Sequence, residues 1–343
     1  MIWSLFLFSV SILNIVKCNN INGLKDDYKI WCVGNCDHDN IPLSTIPGAV
    51  LMGGGTDTNE AFIWQINNAK GGDFVVLRAS GDDAYNDYIY ELSIASGSRL
   101  NSVRTILFNN AKASSSSEVL NLLKQSEAIF MAGGDQGVYM NYWAGTEVQS
   151  IMQSKLANIT IGGTSAGLAV LGNWVYTAEN GSIYSDEALA NPYDRYMEKL
   201  SSPLLKIPYM ETVITDTHFV ARDRMGRMLS FVARLRADTS DSSYPIIRGI
   251  GVDEHTALLL NTQNGDVKTV GVNTAYVCTA THDPEVCSSK TPLSFTDISC
   301  MRLSGKDETT YSFASWTGNG VPYVNNIVKG VFTSIPYGPV SGN

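Results

Sequence analysis

The chain has 343 residues, of which 44% are hydrophobic and 17% are charged, a composition typical of a soluble globular protein with one or two domains. Its formal net charge is -9, and it contains no long cluster of lysine and arginine, which argues against a nucleic-acid-binding protein. The acidic balance is compatible with a cationic substrate or simply with solubility.

The first predicted element is the apolar N-terminal stretch MIWSLFLFSVSILNIVKC. Its apolar stretch, Ile2 to Val16, is too short for a comfortable membrane span. It therefore predicts a secretory signal peptide over residues 1–18, cut near Cys18, although the usual basic n-region is missing. A single-span anchor is the alternative. We expect a secreted protein in which residues 19–343 form a single domain with no membrane contact after cleavage.

The remaining cysteines agree with export, since a secreted chain oxidises thiols. Cys32 and Cys36 are the easiest pair by sequence, and two of Cys278, Cys287 and Cys300 are expected to pair as well. A zinc site is the alternative for such a cluster, but histidines at ligand spacing are lacking. No metal is expected.

Two N-glycosylation sequons are present, Asn158-Ile-Thr and Asn180-Gly-Ser. Asn158 begins a segment that the sequence predicts to be a buried strand. Asn180 is therefore the candidate glycosylation site.

From residue 48 to residue 172 the chain alternates short apolar runs with helical patterns. Runs such as GAVLMGG, DFVVLRAS, VRTILFN, EAIFMAGG and NITIGG predict buried strands, and the segments between them predict helices. Continuous apolar strands separated by helices indicate a parallel sheet covered on both faces. Ligands bind beyond the carboxyl ends of the strands in such sheets. From residue 266 the pattern is rich in β-structure.

A lone serine, Ser165, stands in the segment NITIGGTSAGLAVLG between a predicted strand and a predicted helix. This Gly-x-Ser-x-Gly arrangement is that of a nucleophile elbow, in which a sharp turn exposes the serine oxygen beside helix N-terminal amides. The alternative is a glycine-rich turn whose serine only caps the helix.

A serine nucleophile needs a base, and the chain offers four histidines. His38 and His282 lie in cysteine-containing segments, and His255 lies between a predicted turn and a strand. His218, in ITDTHFVARDRMGR, follows a predicted strand at its carboxyl end, where the elbow opens. His218 is therefore the candidate base.

These motifs resemble the cyanophycinase group of serine peptidases, peptidase family S51, which is related to the bacterial aspartyl dipeptidases. The resemblance rests on GGTSAG and TDTHFVARDRMGR together with VLMGGGTD, IFMAGGDQ and GIGVDEHTAL, in this order. It covers about residues 49–260, so the first cysteine pair and a C-terminal extension, about residues 266–343, fall outside it.

The resemblance implies an α/β fold: a three-layer α/β/α sandwich with a mostly parallel sheet, like that of class I glutamine amidotransferases (flavodoxin-like), followed by a β-rich C-terminal extension. It implies Ser165 as nucleophile and His218 as base, with the backbone amides of Gly134 and Ala166 as oxyanion donors. Residues that resemble the substrate cleft of the family are Gln136, Asp216, Arg222 and Arg227. For the arginines, a solvated helix face is the alternative to a bound carboxylate.

The acid that should orient His218 departs from the family pattern. Cyanophycinases carry a glutamate about eighteen residues after the serine, and the same count reaches Ile183 in this chain. Acidic residues nearby are Glu179, Asp186 and Glu187. The aspartyl dipeptidases place their acid closer to the serine, which favours Glu179.

The first functional hypothesis is a secreted serine exopeptidase that hydrolyses aspartyl or β-aspartyl bonds through an acyl-enzyme, with no cofactor. Its partner would be a peptide or a β-aspartyl dipeptide, and a homodimer is a further expectation. The second hypothesis is an inactive extracellular or matrix protein that keeps the fold, which Ile183 favours. The third is an unrelated esterase of the α/β-hydrolase type, which carries its acid on a late strand.

Overall fold

The structure, a computed structural model, describes residues 26–37, 44–197, 200–238 and 244–339. The predicted signal peptide with Cys18, and also His38, lie outside the described residues. Within these ranges no helix combines the length and the apolar character that a membrane crossing requires.

The described residues form a chain of alternating helices and strands up to α8 and then continue almost entirely as strands. The α-helices are α1 (Asn59–Asn68), α2 (Ala84–Ala95), α3 (Ser117–Gln125), α4 (Gln136–Trp143), α5 (Glu147–Lys155), α6 (Ala166–Ala169), α7 (Ser185–Ala190) and α8 (Met225–Asp238). The strands up to α8 are β1 (Tyr28–Gly34), β2 (Gly48–Met52), β3 (Asp73–Arg78), β4 (Ser102–Phe108), β5 (Ala128–Met131), β6 (Thr160–Thr164), β7 (Val175–Tyr176), β8 (Leu200–Ser201) and β9 (Val213–Asp216). The later strands are β10 (Ile247–Val252), β11 (Thr256–Asn261), β12 (Asp266–Gly271), β13 (Thr274–Ala280), β14 (Phe295–Ser304), β15 (Thr310–Ser312), β16 (Thr317–Gly318), β17 (Val321–Val328) and β18 (Val331–Phe332).

The larger sheet has ten strands in the order β1-β4-β3-β5-β6-β2-β11-β12-β15-β16. Its central strands β4, β3, β5, β6 and β2 run parallel, and the flanking strands add antiparallel to both sides. The order places β6, which precedes Ser165, between β5 and β2. The loops after these strands therefore meet at one edge of the sheet.

The parallel strands are buried on both faces, as their continuous apolar runs predict. Successive residues of β2 alternate between two separate hydrophobic clusters, with Leu51 packed in the cluster of α3, α4 and α5 and Val50 in the cluster of α1 and α2. Helices thus cover the two faces, and the predicted α/β fold with its parallel centre is confirmed.

A second sheet has six strands in the order β18-β17-β14-β13-β10-β9. Only β9 and β10 pair in parallel in it, and α8 connects them. The candidate base His218 follows β9, so it belongs to a different sheet from the one that carries Ser165. The C-terminal region predicted to be rich in β-structure supplies β12, β15 and β16 to the larger sheet and β13, β14, β17 and β18 to the second one.

Two disulfides lie in the described ranges, Cys32–Cys36 and Cys278–Cys300. The first confirms the predicted pair. The second forms because Cys278 and Cys300 face each other in the register of β13 and β14. Cys287 is the free cysteine of the described residues.

The two sequon asparagines are both exposed. The prediction that Asn158 begins a buried strand is wrong, since Asn158 lies in the turn before β6, which starts at Thr160. Asn180 lies in the loop before α7, and its Nδ2 donates to the carbonyl of Arg195 at 2.9 Å. Its glycosylation stays a prediction.

Candidate active site

Ser165 sits at the sharp turn that the Gly-x-Ser-x-Gly pattern predicts. Its backbone has φ 53° and ψ -115°, and its amide donates to the carbonyl of Met52 at 3.1 Å. The two motif glycines are required by close backbone approach: a Cβ on Gly163 would lie 2.4 Å from Gly167, and one on Gly167 would lie 2.0 Å from the carbonyl oxygen of Met131. The helix after the turn, α6, is only four residues long.

The hydroxyl of Ser165 lies 2.7 Å from Nε2 of His218, and Nδ1 of the same ring lies 2.6 Å from Oε1 of Glu254. In the neutral imidazole that fits both contacts, Nδ1–H donates to the carboxylate and Nε2 accepts the serine proton. The order Ser–His–Glu in space is that of a catalytic triad. His218 and Glu254 meet because they follow the adjacent parallel strands β9 and β10 at the same edge.

The glycine loop after β2 joins the two sheets at this point. The carbonyl of Gly53 accepts the amide of His218 at 2.8 Å, and the carbonyl of Gly54 accepts the amide of His255 at 3.0 Å. On the other side, the hydroxyl of Thr215 in β9 donates to the carbonyl of Leu168 in α6 at 3.1 Å. Hydrogen bonds to backbone carbonyls thus hold the histidine of one sheet against the serine of the other.

Gly54 has no room for a side chain. A Cβ there would lie 2.4 Å from Cε1 of His218, and the backbone has φ +107°. We expect Gly54→Ala to displace the imidazole and to slow the reaction of Ser165 with a fluorophosphonate by about 10²-fold or more, because a displacement of about 1 Å costs that much in active sites. Gly97→Ala is the matched control, since Gly97 also has a positive φ but no atom within 4 Å of a Cβ. Equal labelling rates in the two variants would contradict the prediction.

Burial is the main cause that lowers the pKa of His218, and the cations of Arg222 and Arg224 lower it further, while the hydrogen bond to Glu254 acts in the opposite direction. The hydrogen bond to His218 lowers the pKa of Glu254. The ring is therefore kept neutral and the carboxylate ionised, which are the forms that a general base and its orienting acid need.

Beside Ser165 lies a cavity of about 90 Å³, small in comparison with the roughly 300–1,000 Å³ of ordinary ligand pockets. All the predicted oxyanion and substrate residues line it, together with residues that the sequence did not single out. The lining includes Gly134, Gln136, Ser165, Ala166, Tyr176, Asp216, His218, Arg222, Arg224 and Arg227.

Asp216 and Arg227, both predicted for the substrate cleft, are bound to each other. The guanidinium of Arg227 donates to both carboxylate oxygens of Asp216 and, through Nη1, to the hydroxyl of Ser182 at 2.9 Å. Both residues are buried. Their ion pair forms a wall of the cavity, so neither charge is free to bind a substrate by itself.

Arg222 and Arg224 carry the excess positive charge of the cavity. Arg224 donates to the carbonyl of Thr217 at 2.9 Å and lies 3.7 Å from Asp216, and burial lowers its pKa to about 10. Arg222 is exposed and forms no ion pair or hydrogen bond through its side chain within the described ranges. Arg222 is therefore the guanidinium best able to meet an incoming anion.

Gly134 and Ala166 line this cavity together with the serine. The Gly134 segment is held by Tyr139, whose hydroxyl lies 3.0 Å from the carbonyls of both Ala132 and Gly133. Asp135 accepts from the amides of Gly137 and Val138 and so caps α4. The role of the two amides as oxyanion donors stays a prediction.

The prediction of Glu179 as the acid that orients His218 is corrected by the structure. The place at Nδ1 belongs to Glu254, whereas Glu179 lies in an exposed loop next to Gly137 of α4. The alternatives Asp186 and Glu187 are exposed in the first turn of α7, where Glu187 accepts from the amide of Tyr184.

Ile183, at the position where cyanophycinases carry a glutamate, is buried in the hydrophobic cluster beneath α8. An apolar side chain suits this position, because the site takes its acid from elsewhere in the chain.

Glu254 and Arg224 are the two functional candidates that sequence reasoning missed. Both stand in motifs already quoted, GIGVDEHTAL and TDTHFVARDRMGR. The signal available for Glu254 was its place two residues after an apolar strand, since residues that follow adjacent parallel strands at their carboxyl ends lie close together.

The profile of Peptidase family S51 matches residues 79–196, a segment that includes Ser165 but ends before His218. A cyanophycinase of Trichormus variabilis is 28% identical over 199 residues, which are 56% of this chain and 59% of that protein. A cyanophycinase of Geminocystis herdmanii is 34% identical over 136 residues, 39% of this chain and 43% of that protein. The chain thus spans about half the length of the curated relatives it matches.

Among solved structures, a peptidase from an acI-B1 Actinobacterium is similar with a TM-score of 0.48 and 17% identity, over 81% of this chain and 97% of that one. A putative peptidase E protein from Listeria monocytogenes is similar with a TM-score of 0.42 and 13% identity, over 67% of this chain and 100% of that one. On the sequence matches, residues 79–196 are similar to peptidase family S51, and part of the chain is similar to cyanophycinases.

Proposed function

We propose that this protein is a serine exopeptidase that hydrolyses aspartyl or β-aspartyl peptide bonds through an acyl-enzyme on Ser165. The observation that carries the proposal is the connected set Ser165–His218–Glu254 at the mouth of a small cationic cavity. A complete set of nucleophile, base and acid in hydrogen-bond contact is what acyl transfer by serine requires.

In the proposed reaction, Ser165 Oγ attacks the carbonyl carbon while Nε2 of His218 takes the hydroxyl proton. The tetrahedral oxyanion then lies near the amides of Gly134 and Ala166. His218 gives its proton to the leaving amine as the carbon–nitrogen bond breaks, which leaves an ester on Ser165. Water, deprotonated by His218, hydrolyses this ester and frees the acid, while Glu254 stays ionised and stabilises the imidazolium throughout.

The cavity supports an acidic acyl residue. Three guanidinium groups and one carboxylate line it, and the carboxylate is already paired with Arg227, so two positive charges are left uncompensated and favour an anionic substrate group. Its volume of about 90 Å³ suits a short group such as the carboxylate of an aspartyl residue. Because so small a space does not admit a continuing chain, the acyl residue is proposed to be terminal, which makes the activity that of an exopeptidase.

The test combines active-site labelling with a substrate panel. We expect a fluorophosphonate to modify Ser165. We also expect a β-aspartyl or an α-aspartyl dipeptide to be hydrolysed about tenfold or more faster than the matching asparaginyl dipeptide, because only the aspartyl peptides carry a carboxylate on the acyl residue that Arg222 can bind. An inactive extracellular protein, the second hypothesis, would show neither labelling nor hydrolysis. Fast hydrolysis of the asparaginyl peptide would contradict the proposed substrate class.

The pH dependence follows from the direction of the His218 shift. Only the neutral ring can accept the serine proton, so kcat/KM should rise with pH and level off, with its midpoint below the ordinary value of 6.5 because the pKa is lowered. Arg222→Gln removes a cation that lowers this pKa, so the midpoint should move to higher pH. Lys268→Gln, a change on β12 outside the cavity lining, should leave it in place. A midpoint above 6.5 in the parent would contradict the prediction.

We further propose that the protein is secreted, on the basis of the apolar N-terminus and the cysteine pairs. Mass spectrometry of the protein from its native medium would locate the mature N-terminus and any glycan on Asn180.

The homodimer also stays a prediction, which light scattering of the purified protein would check.

A further inference from the structure

The turn that follows His218 is held in a strained conformation at both ends. His218 has φ 46° and Asp223 has φ 47°, both in the left-handed region that residues other than glycine rarely adopt. Such conformations persist only where surrounding contacts fix them, and they concentrate at functional sites. Because Arg222 lies within this turn, the contacts that fix it also decide where the free guanidinium of the cavity stands.

The entry of the turn is fixed from the site itself. Oδ1 of Asp253, the residue before Glu254, accepts the amides of Val220 and Ala221 at 3.0 Å each. The imidazole of His218 is held independently by Ser165 and Glu254. None of these contacts reaches the exit of the turn, at Asp223 and beyond.

The exit of the turn is held by the hydroxyl of Ser185, which donates to the carbonyl of Asp223, and by Tyr337, near the C-terminal end of the described residues. The Tyr337 hydroxyl donates to Oδ1 of Asp223 at 2.7 Å and accepts the amide of Met225 at 3.2 Å. Met225 begins α8, so this amide is one of the helix N-terminal donors without a partner inside the helix. The Tyr337 ring also packs edge-on against Phe219 with centroids 5.9 Å apart, and Phe219 in turn lies on the backbone of Gly251 in β10.

Tyr337 is itself well anchored. The carbonyl of Pro336 accepts hydrogen bonds from the Tyr323 hydroxyl at 3.1 Å and from Asn325 Nδ2 at 3.0 Å, both on β17. Gly338 passes so close to the Tyr323 ring that a Cβ would lie 2.9 Å from it. The segment 336–338 is thus bound to β17 of the second sheet and can hold the turn in place.

We propose that Tyr337 is a positioning residue, through which the C-terminal extension sets the place of Arg222 and Arg224 at the active site. The residue lies outside the matched family segment, residues 79–196, and outside the stretch of motif resemblance. The proposal rests on the proposed function as far as the substrate is concerned, while the support of the turn can be measured without it. Burial raises the pKa of the Tyr337 hydroxyl, so it remains protonated and able to donate to Asp223.

The kinetic test is Tyr337→Phe, which removes the hydroxyl and keeps the ring contacts. The entry of the turn and His218 keep their own contacts, so kcat and the rate of fluorophosphonate labelling should change by less than about twofold. KM for aspartyl substrates should rise about three- to tenfold, the size expected for loss of one or two positioning hydrogen bonds. A role in stability alone would lower the active fraction and leave KM unchanged. Tyr311→Phe is the matched control, because it removes a buried tyrosine hydroxyl that donates only within the β15–β16 region, to Trp316.

Asp223 provides the second arm of the test. Asp223→Asn keeps an acceptor for Tyr337 and tolerates the positive φ, so it should resemble the parent. Asp223→Ala should raise KM as Tyr337→Phe does, and the double variant should add little to either change because the two groups form one contact. Unchanged KM in Tyr337→Phe, or fully additive effects, would overturn the proposal.

Hydrogen exchange covers the case in which no substrate is hydrolysed, which would remove the proposed function but leave this inference testable. Peptides that span residues 222–228 should exchange faster in Tyr337→Phe than in the parent, because the Met225 amide loses its acceptor. The same peptides should be unaffected in Tyr311→Phe. Equal protection in the parent and in Tyr337→Phe would show that the hydroxyl does not hold the turn.

Discussion

Replacing Ser165 by alanine is expected to abolish hydrolysis while leaving the fold nearly unchanged. Removal of the nucleophile of a serine protease costs about 10⁶ in kcat, because no other group can form the acyl-enzyme. The side chain is small and half-buried, and its hydroxyl has one hydrogen-bond partner, His218. The free energy of unfolding should therefore change by no more than about 1 kcal/mol.

The measurement is release of the amino acid from an aspartyl dipeptide, followed together with urea unfolding. Ser154→Ala is a suitable control, because Ser154 also makes a single side-chain hydrogen bond, to the carbonyl of Ile151 in α5, well away from the cavity lining. It should match the parent in both measurements. Hydrolysis by Ser165→Ala at the rate of the parent would end the proposal of an acyl-enzyme on this serine.

The local features of this site could be predicted from the sequence because they depend on neighbours in the chain. The glycines around Ser165 predict a tight turn, and the structure shows why they must be glycines. A Cβ on Gly163 would collide with the backbone of Gly167, and a Cβ on Gly167 would collide with the backbone of Met131. The Cys32–Cys36 pair is also local. The apolar strand runs predicted burial on both faces, which the two hydrophobic clusters on either side of β2 confirm.

The acid could not be found by counting from the serine, because its position depends on strand pairing. Glu254 lies 36 residues after His218 in the chain, and the two come together only because β9 and β10 pair in parallel across α8. The pairing of Cys278 with Cys300 is a similar case, since the register of β13 and β14 decides it. The placement of β9 in a second sheet could not be predicted either, because the local sequence of β9 does not indicate which sheet the strand joins.

The second large effect is expected from Glu254→Gln. The amide keeps the size of the side chain but can no longer hold the imidazole in the tautomer that leaves Nε2 free to accept the serine proton, nor balance the imidazolium that forms. A comparable change in a well-studied triad lowers kcat by about 10⁴. Glu179→Gln is the matched control: the same chemical change, on an exposed loop, should leave kcat within about twofold of the parent.

The pH profile separates a catalytic role of Glu254 from a general loss of structure. The hydrogen bond to Glu254 raises the pKa of His218 against the effect of burial. Without the carboxylate, the midpoint of kcat/KM should therefore move to lower pH, opposite to the shift expected for Arg222→Gln. A damaged fold would reduce the amplitude of the profile and leave its midpoint in place.

The double variant with Ser165→Ala tests whether Glu254 acts through the serine. If Glu254 acts only through His218 on Ser165, then Glu254→Gln should add almost nothing to the loss caused by Ser165→Ala, because residues of one catalytic unit are not additive. The geometry requires this dependence, since Glu254 contacts Nδ1 and the serine contacts Nε2 of the same ring. A parent-like rate for Glu254→Gln together with a large loss for Glu179→Gln would show that the acid lies in the loop before α7. That result would refute the assignment of Glu254.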